Sequence, residues 1–415
     1  MVHLPRQLHS SNRNQKKNVL IFCLQPEGDQ SYMPDIPMAF CLALEKKGCS
    51  VTMASFKRND DLKIKERDGR VYVKYEERKF KLPDLDERNK DYEYFKSLID
   101  ERIKNPQNES FKIEEDNGER YIVFPAVEQD IDELDGAIGW NASRQPLRQL
   151  LEKNDRIVPL NTPDSIEVSW DKIKFHECMK AAGISIPVTV CLHSQDGYDE
   201  DRITQELYEG LTQKGVTLPF MIKANVGVGG TDVYEVDTLK KALDIIRKLI
   251  QSGKGVVVQE KIEPLAENPE WIRLVVADGK VIGARRCIGK AGAFPDKMDK
   301  IIDHIVAPAN RMLHDRIEPY KPTTKEKRVA IATTRALGLR VSGIDIMKNS
   351  GNPVALEAAD CPALKPHMRL GQYGIVDKAV KGFVKEMIRN KESVKQKIST
   401  FVARVKTRSD RVYNR

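Results

Sequence analysis

The chain has 415 residues, too many for one small core, and its 40% hydrophobic and 31% charged composition is that of a globular protein, not a disordered or fibrous one. No apolar run approaches the roughly 20 residues needed to cross a bilayer, which excludes a helical membrane span. The net charge of +8 is uneven: residues 378–415 carry 12 Lys/Arg against 3 Asp/Glu, so the rest of the chain is nearly neutral.

The polar, basic stretch 1–18 has no apolar core and reads as a disordered leader rather than a secretory signal. VLIFCL (residues 19–24) reads as a buried strand. A helix opens near Pro37 and stops at Gly48, and SVTMASF follows as a second strand, which together make a βαβ unit. Asp68-Gly69 between alternating segments predicts a hairpin insertion within residues 57–118. Strand-like runs return at residues 121–124, 137–140 and 156–161. Residues 19–160 are therefore expected to form a Rossmann-like N-terminal domain, with residues 161–186 as a linker and the opening of the next.

Residues 187–262 change rhythm. Strands at 187–192, 219–224, 233–236 and 256–262, with helices at 200–213 and 238–250, predict a small α+β module. Residues 263–377 predict an antiparallel sheet domain, with one hairpin turning at Asp278-Gly279 and a second spanning residues 341–360. Residues 378–415 read as a basic helical tail with one apolar stripe. Seven cysteines are scattered without a C-x-x-C pair, which points to reduced thiols in a cytoplasmic protein.

The chemistry concentrates in three places. If the second hairpin is centred on Gly351, Asp345 and Glu357 lie opposite each other on one face, with Ile344, Ile346, Leu356 and Ala358 on the other. Two opposed carboxylates call for a proton or a bridging hard cation such as Mg²⁺, unless both simply face water. In IKANVGVGGT a strand ends in Lys223 and a loop with Gly227, Gly229 and Gly230 follows. Such a loop can wrap phosphate oxygens with backbone N–H groups, or be an ordinary turn. The strand VVVQEKI ends in Gln259, Glu260 and Ile262, a weak match to a base-binding edge.

The order of these parts resembles the ATP-grasp superfamily over residues 161–368, and most of all its branch of glutathione synthetase and the RimK-like carboxylate–amine ligases. Asp171-Lys172 and AAGISIP fit that branch too. The resemblance implies a three-domain ATP-grasp architecture of mixed α/β and α+β class. It also implies an enzyme that uses ATP and Mg²⁺ to join a carboxylate to an amine through an acyl phosphate. Lys172 and Lys223 are then expected at the α/β-phosphates, with the glycine loop closing over them. Gln259, Glu260 and Ile262 would frame adenine, and Glu270 would reach ribose. Arg273 and Arg286 would stabilise the transferred phosphoryl group, and Asp345 and Glu357 would hold Mg²⁺. The family's E-x-N reads Glu357-Ala358-Ala359 here. Either a bulge brings Asp360 in as the missing ligand, or one metal site is lost. Alternatives within the superfamily are a small-molecule kinase and a weakened nucleotide-binding protein. The partners expected are small carboxylate and amine substrates, an amino acid or peptide, with an acidic peptide one candidate for the basic tail. The tail lacks an aromatic stacking platform, which argues against nucleic acid. The sequence leaves the oligomeric state open.

Overall fold

The computed structural model describes residues 16–25, 35–57, 64–68, 70–75, 77–81, 92–105, 110–140, 144–194, 199–227, 232–262, 270–289, 316–372 and 374–390. Gly229 and Gly230, the leader up to residue 15 and the basic tail beyond residue 390 lie outside them. Two compact units are present: residues 1–159 with 384–415, and residues 160–383.

The first unit is built on a parallel sheet. β1 (Lys17–Gln25), α1 (Asp35–Glu45) and β2 (Cys49–Lys57) form the βαβ unit that the apolar runs predict. The insertion follows, with β3 (Ile64–Arg67), β4 (Arg70–Tyr75), β5 (Arg78–Lys81), α2 (Tyr92–Lys104), β6 (Lys112–Asp116), β7 (Glu119–Phe124) and β8 (Val127–Asp130). β9 (Gly136–Trp140), α3 (Arg144–Lys153) and β10 (Val158–Pro159) complete the sheet in the order β10-β9-β1-β2. The insertion makes two three-stranded antiparallel sheets, β3-β4-β8 and β5-β7-β6. Buried Arg102 of α2 donates to Glu45 of α1 and to Ser110, and lies 4.1 Å over the Phe111 ring. This pairing compensates a charge that would otherwise be costly to bury.

The second unit opens with α4 (Pro163–Trp170) and α5 (Lys172–Ala181). Thr162 caps α4, and Asp171 caps α5 by accepting from the N–H groups of Ile173 and Lys174. β11 (Thr189–Leu192), α6 (Glu200–Lys214), β12 (Phe220–Ala224), β13 (Val233–Val236), α7 (Leu239–Gln251) and β14 (Val256–Glu260) form an antiparallel sheet, β11-β14-β12-β13. The apolar stripe of α7 (Ala242, Ile245, Ile246, Leu249, Ile250) packs with Ile203, Leu207 and Leu211 of α6 on one core with Phe220, Ile222, Val256 and Val258.

β15 (Glu270–Ala277), β16 (Lys280–Ile288), β17 (Arg316–Pro319), α8 (Thr324–Ala336), β18 (Val341–Asn349), β19 (Asn352–Ala359) and α9 (Lys365–Arg369) follow, with a last helix over residues 375–390. The sheet order is β17-β16-β15-β18-β19, antiparallel throughout. One face buries Ile272, Leu274, Ala284, Ile344, Ile346 and Ala358 with Ala330 of α8 and Phe175 of α5. Buried Asn161 closes the base of the second hairpin. Its Nδ2 donates to the carbonyls of Val341 (2.8 Å) and Asp360 (2.9 Å), and its Oδ1 accepts from the N–H groups of Arg340 and Val341.

Both hairpins turn on two residues in the left-handed region: Asp278 and Gly279 at φ 48° and 68°, Ser350 and Gly351 at 48° and 81°. Each then carries a one-residue bulge, at Ile282 in β16 and at Leu356 in β19. These two bulges fix which side chains reach the site.

Candidate active site

The face of the five-stranded sheet opposite its core carries a transverse row. Arg285 pairs with Arg273, Arg273 with Asp345, and Asp345 with Glu357, so four charged side chains from β16, β15, β18 and β19 project to the same side. Arg273 donates through Nε to Oδ1 of Asp345 at 2.6 Å and through Nη2 to Oδ2, a bidentate pair; Glu357 Oε1 is 3.6 Å from Nη2. An arginine thus relieves the repulsion between the two acids. Burial pushes the Asp345 carboxyl up, with Arg273 opposing it. At Glu357 desolvation also acts upward, but Lys172 and Arg273 outweigh it and hold the carboxyl below its ordinary range.

The acids meet as the sequence predicts, for a different reason. A two-residue turn at Ser350-Gly351 alone would set Asp345 opposite Leu356; the bulge moves Glu357 there instead. It also alters Leu356, expected on the core side. Leu356 instead lines a small cleft with Lys172, His176, Ile186, Lys223 and Gln259. The bulge precedes Glu357, so it does not bring Asp360 to the pair. Asp360 is buried and accepts from the Trp170 indole and the Cys361 thiol. Asp360 therefore does not stand in for the asparagine that Ala359 replaces. Among the described residues no group of three or more His, Cys, Asp or Glu could hold a metal.

The arginines are the second correction. An unbulged turn at Asp278-Gly279 would place Arg273 and Arg286 on one face. The extra residue Ile282 shifts the register, so Arg285 joins Arg273 and Arg286 turns to the other side. There Arg286 stacks 5.3 Å over the Tyr320 ring and lies 3.8 Å from Glu270, which leaves Glu270 with a partner on that same face. No signal in the sequence marks Ile282 as a bulge, so Arg285 was not legible.

The lysines sit opposite. Lys172, the first residue of α5, donates to the Gly227 carbonyl at 3.3 Å, and its own N–H donates to Asn225 O at 2.7 Å. Asn225 in turn donates to Asp171 at 2.8 Å, which ties the start of the glycine loop to the helix cap. Lys223 donates to Oε1 of Gln259 at 2.7 Å, and Gln259 Nε2 donates to Thr189 Oγ1 at 3.0 Å. Burial lowers the Lys223 ammonium to about 8. The Gln259 side chain is thus occupied in orienting a lysine. Glu260 accepts from the Val188 N–H at 2.8 Å and from Asn349 at 3.2 Å, and Ile262 is buried.

Residues 169–380 match the model of the RimK-like ATP-grasp domain, just over half of the chain. A probable alpha-L-glutamate ligase of Aeromonas salmonicida is 27% identical over 238 residues, covering 57% of this chain and 70% of that protein. One from Halorhodospira halophila is 30% identical over 207 residues, covering 50% of this chain and 60% of that one. Among solved structures, the VanG D-Ala:D-Ser ligase of Enterococcus faecalis superposes with a TM-score of 0.52 at 14% identity, covering 88% of this chain and 99% of its own. The D-alanine–D-alanine ligase of Bacillus anthracis complexed with ATP gives 0.51 at 12% identity, with 90% and 99% covered. At such identities these two structures speak for the fold, that of the ATP-grasp ligases.

Proposed function

Because the chain belongs to the RimK-like ATP-grasp family, we propose that it joins a carboxylate to an amine with ATP, releasing ADP and phosphate. The observation that carries this reading is the charged row Arg273–Asp345–Glu357, with Lys172 and Lys223 close enough to act on Glu357. A carboxylate does not condense with an amine at neutral pH, because oxide is too poor a leaving group. Its attack on the γ-phosphorus of ATP expels ADP and gives a mixed anhydride. The amine nitrogen then attacks the acyl carbon, phosphate leaves, and the amine proton passes to solvent or a nearby base.

Each step gathers negative charge, so the protein's part is placement and charge compensation. Lys172 and Lys223 are assigned to the non-transferred phosphates, and Arg273 to the phosphoryl group in flight. Asp345 and Glu357 suit a Mg²⁺ shared with phosphate oxygens, since that ion needs only one or two carboxylates from a protein. When bound, Mg²⁺ would neutralise charge developing on the bridging oxygens. Glu357 is half-exposed and free to turn toward such an ion, whereas Asp345 would have to share its oxygens with Arg273. None of Cys41, Cys49, Cys178, Cys191, Cys287 and Cys361 forms a disulfide, which supports a reducing compartment such as the cytoplasm as the place of action. No helix among the described residues is long and apolar enough to cross a membrane.

The test is ADP release from the purified chain with ATP, Mg²⁺ and a panel of amino acids and short peptides, with hydroxylamine added. A hydroxamate supports the acyl phosphate. Recovery of the γ-phosphoryl group in a stable ester would instead make the protein a kinase.

A further inference from the structure

The cleft beside Leu356 has apolar walls that come from different sheets. Val257 belongs to the four-stranded sheet, Leu356 stands on the bulge of β19 in the five-stranded one, and Ile186 lies in the segment that joins α5 to β11. Such a slot suits a flat ring, with Lys172 and Lys223 in the same lining for an anionic group attached to it. Its width is set by how the two sheets sit against each other. A flat ring is sensitive to that width, since a gap of about 0.5–1 Å forfeits a quarter to a half of the dispersion well. A phosphate held by lysines is not, because each lysine carries its charge on a flexible stem.

Two hydrogen-bonded links join the second hairpin to the other side of the slot. In the first, the Ala355 N–H donates to the Ser185 carbonyl at 2.9 Å, backbone to backbone. The second runs through side chains. Along β14, Gln259 faces the cleft and orients Lys223, while the next residue, Glu260, lies outside the lining. Glu260 Oε1 accepts from the Val188 N–H at 2.8 Å and from Asn349 Nδ2 at 3.2 Å. The Glu260 N–H in turn donates to the Val188 carbonyl at 2.9 Å, so the tie reaches β11 as well as β14. Asn349 is the last residue of β18, next to the Ser350-Gly351 turn and on the same strand as Asp345. One amide thus fastens the end of β14 to the hairpin that carries the paired acids, in a bond strengthened by the charge on Glu260.

We propose that Asn349 is a positioning residue for the base of the nucleotide, fixing the separation of the slot's walls through its bond to Glu260. Asn349 does not itself line the cleft. Its bond therefore acts on the base and leaves the phosphates to Lys172, Lys223 and Arg273. This rests on the ligase reading for the identity of the ligand, ATP, with adenine expected at the end of β14; the binding itself does not need turnover. The bond has a chemical signature. Asn349→Asp sets two carboxylates against each other and drives the walls apart. Adding Glu260→Gln restores the pair with the roles exchanged. The carbonyl oxygen of the new amide takes the Val188 N–H, its NH₂ group donates to the new carboxylate, and the net charge of the pair returns to that of the wild type.

The experiment is a double-mutant cycle read by calorimetry on the full chain with Mg²⁺. The probes are a non-hydrolysable ATP analogue and tripolyphosphate, which lacks the base. Asn349→Asp should weaken the ATP analogue about tenfold in the wild-type background, the effect of opposed like charges, and less than about twofold in the Glu260→Gln background. Tripolyphosphate should keep its wild-type affinity to within about twofold in every variant. Near-ultraviolet circular dichroism checks that each variant folds. If Asn349→Asp does not, Asn349→Ala takes its place, with a loss of about threefold confined to the ATP analogue. Equal losses in both backgrounds, a parallel loss of tripolyphosphate, or wild-type affinity in the folded Asn349 variant overturns the assignment. So does a wild type that binds no nucleotide, which removes the ligase reading as well. The predicted coupling without ADP release leaves Asn349 in its role and removes the ligase reading; hydroxamate formation without the coupling does the reverse.

Discussion

The two hairpins of the five-stranded sheet are built alike and act differently. Each turns on two left-handed residues, and each carries one extra residue in its second strand. In β15–β16 the bulge comes two pairs from the turn, well before the site, and re-aims the rest of the strand. It exchanges Arg286 for Arg285. In β18–β19 four pairs intervene and the bulge falls at the site itself, so Leu356 and Glu357 both face the cleft side. The turn sets the starting register, and the bulge decides which chemistry arrives. A register slip of one residue turns every later side chain to the opposite face.

The largest effect is expected from Asp345→Asn. It leaves Arg273 without its bidentate partner and removes a proposed Mg²⁺ ligand. Stability should fall by roughly 3 kcal/mol and turnover by several orders of magnitude. Glu357→Gln, half-exposed, should lose turnover with a stability change of only about 1 kcal/mol or less.

Lys223 gives a pH signature. Its folded pKa of about 8 lies below the ordinary lysine value of 10.5, so the unfolded chain binds more protons between those limits. The charged form is the disfavoured one in the fold, and the stability of the nucleotide-free protein should therefore rise, not fall, as pH climbs from about 8 to 10.5. Phosphate bound beside the ammonium would draw its proton back. Calorimetry at pH 8.5 in buffers of different ionisation enthalpy should show proton uptake on ATP-analogue binding, abolished in Lys223→Met. Equal uptake in both proteins would exclude Lys223 as the phosphate contact.

A smaller effect sharpens the comparison of arginines. Arg286→Met should lower turnover far less than Arg273→Met, since its side chain lies against Tyr320 on the other face. Comparable losses in kcat/KM would mean that the bulge at Ile282 does not govern the site. Smallest of all is Gly351→Ala. The left-handed backbone there should cost about 1 kcal/mol of stability and leave turnover intact, because the bulge rather than the tip phases Glu357.

Much of the fold was legible because it rests on local signals. The apolar runs at β1, β12 and β14, the αL-prone dipeptides at both turns, and the capping Asp171 before Lys172 all act within a few residues. The Asn117-Gly118 turn of β6–β7 is an equally local signal; both residues have positive φ. α2 is strongly charged, and much of what secures it is the buried Arg102–Glu45 pair, 57 residues apart in sequence, which no local pattern reveals. In the candidate site, Lys172, Lys223, Arg273, Asp345 and Glu357 could be picked out by type and order. Arg285 and the position of Leu356 depend on bulges, which trade one ladder bond for a change of face and leave no mark in composition.

Asn161 shows a weakness of another kind. It holds the base of the second hairpin with two donors and one acceptor on four backbone groups, a pattern only an amide can supply. Asparagine is also the residue that ages, since hydrolysis of its side chain releases ammonia and leaves aspartate. The resulting carboxylate would confront the carbonyls of Val341 and Asp360 with no hydrogen to give, at the point where β18 enters and β19 leaves the sheet. The hairpin that carries Asp345 and Glu357 could thus come loose with time alone, in a chain whose gene has not changed.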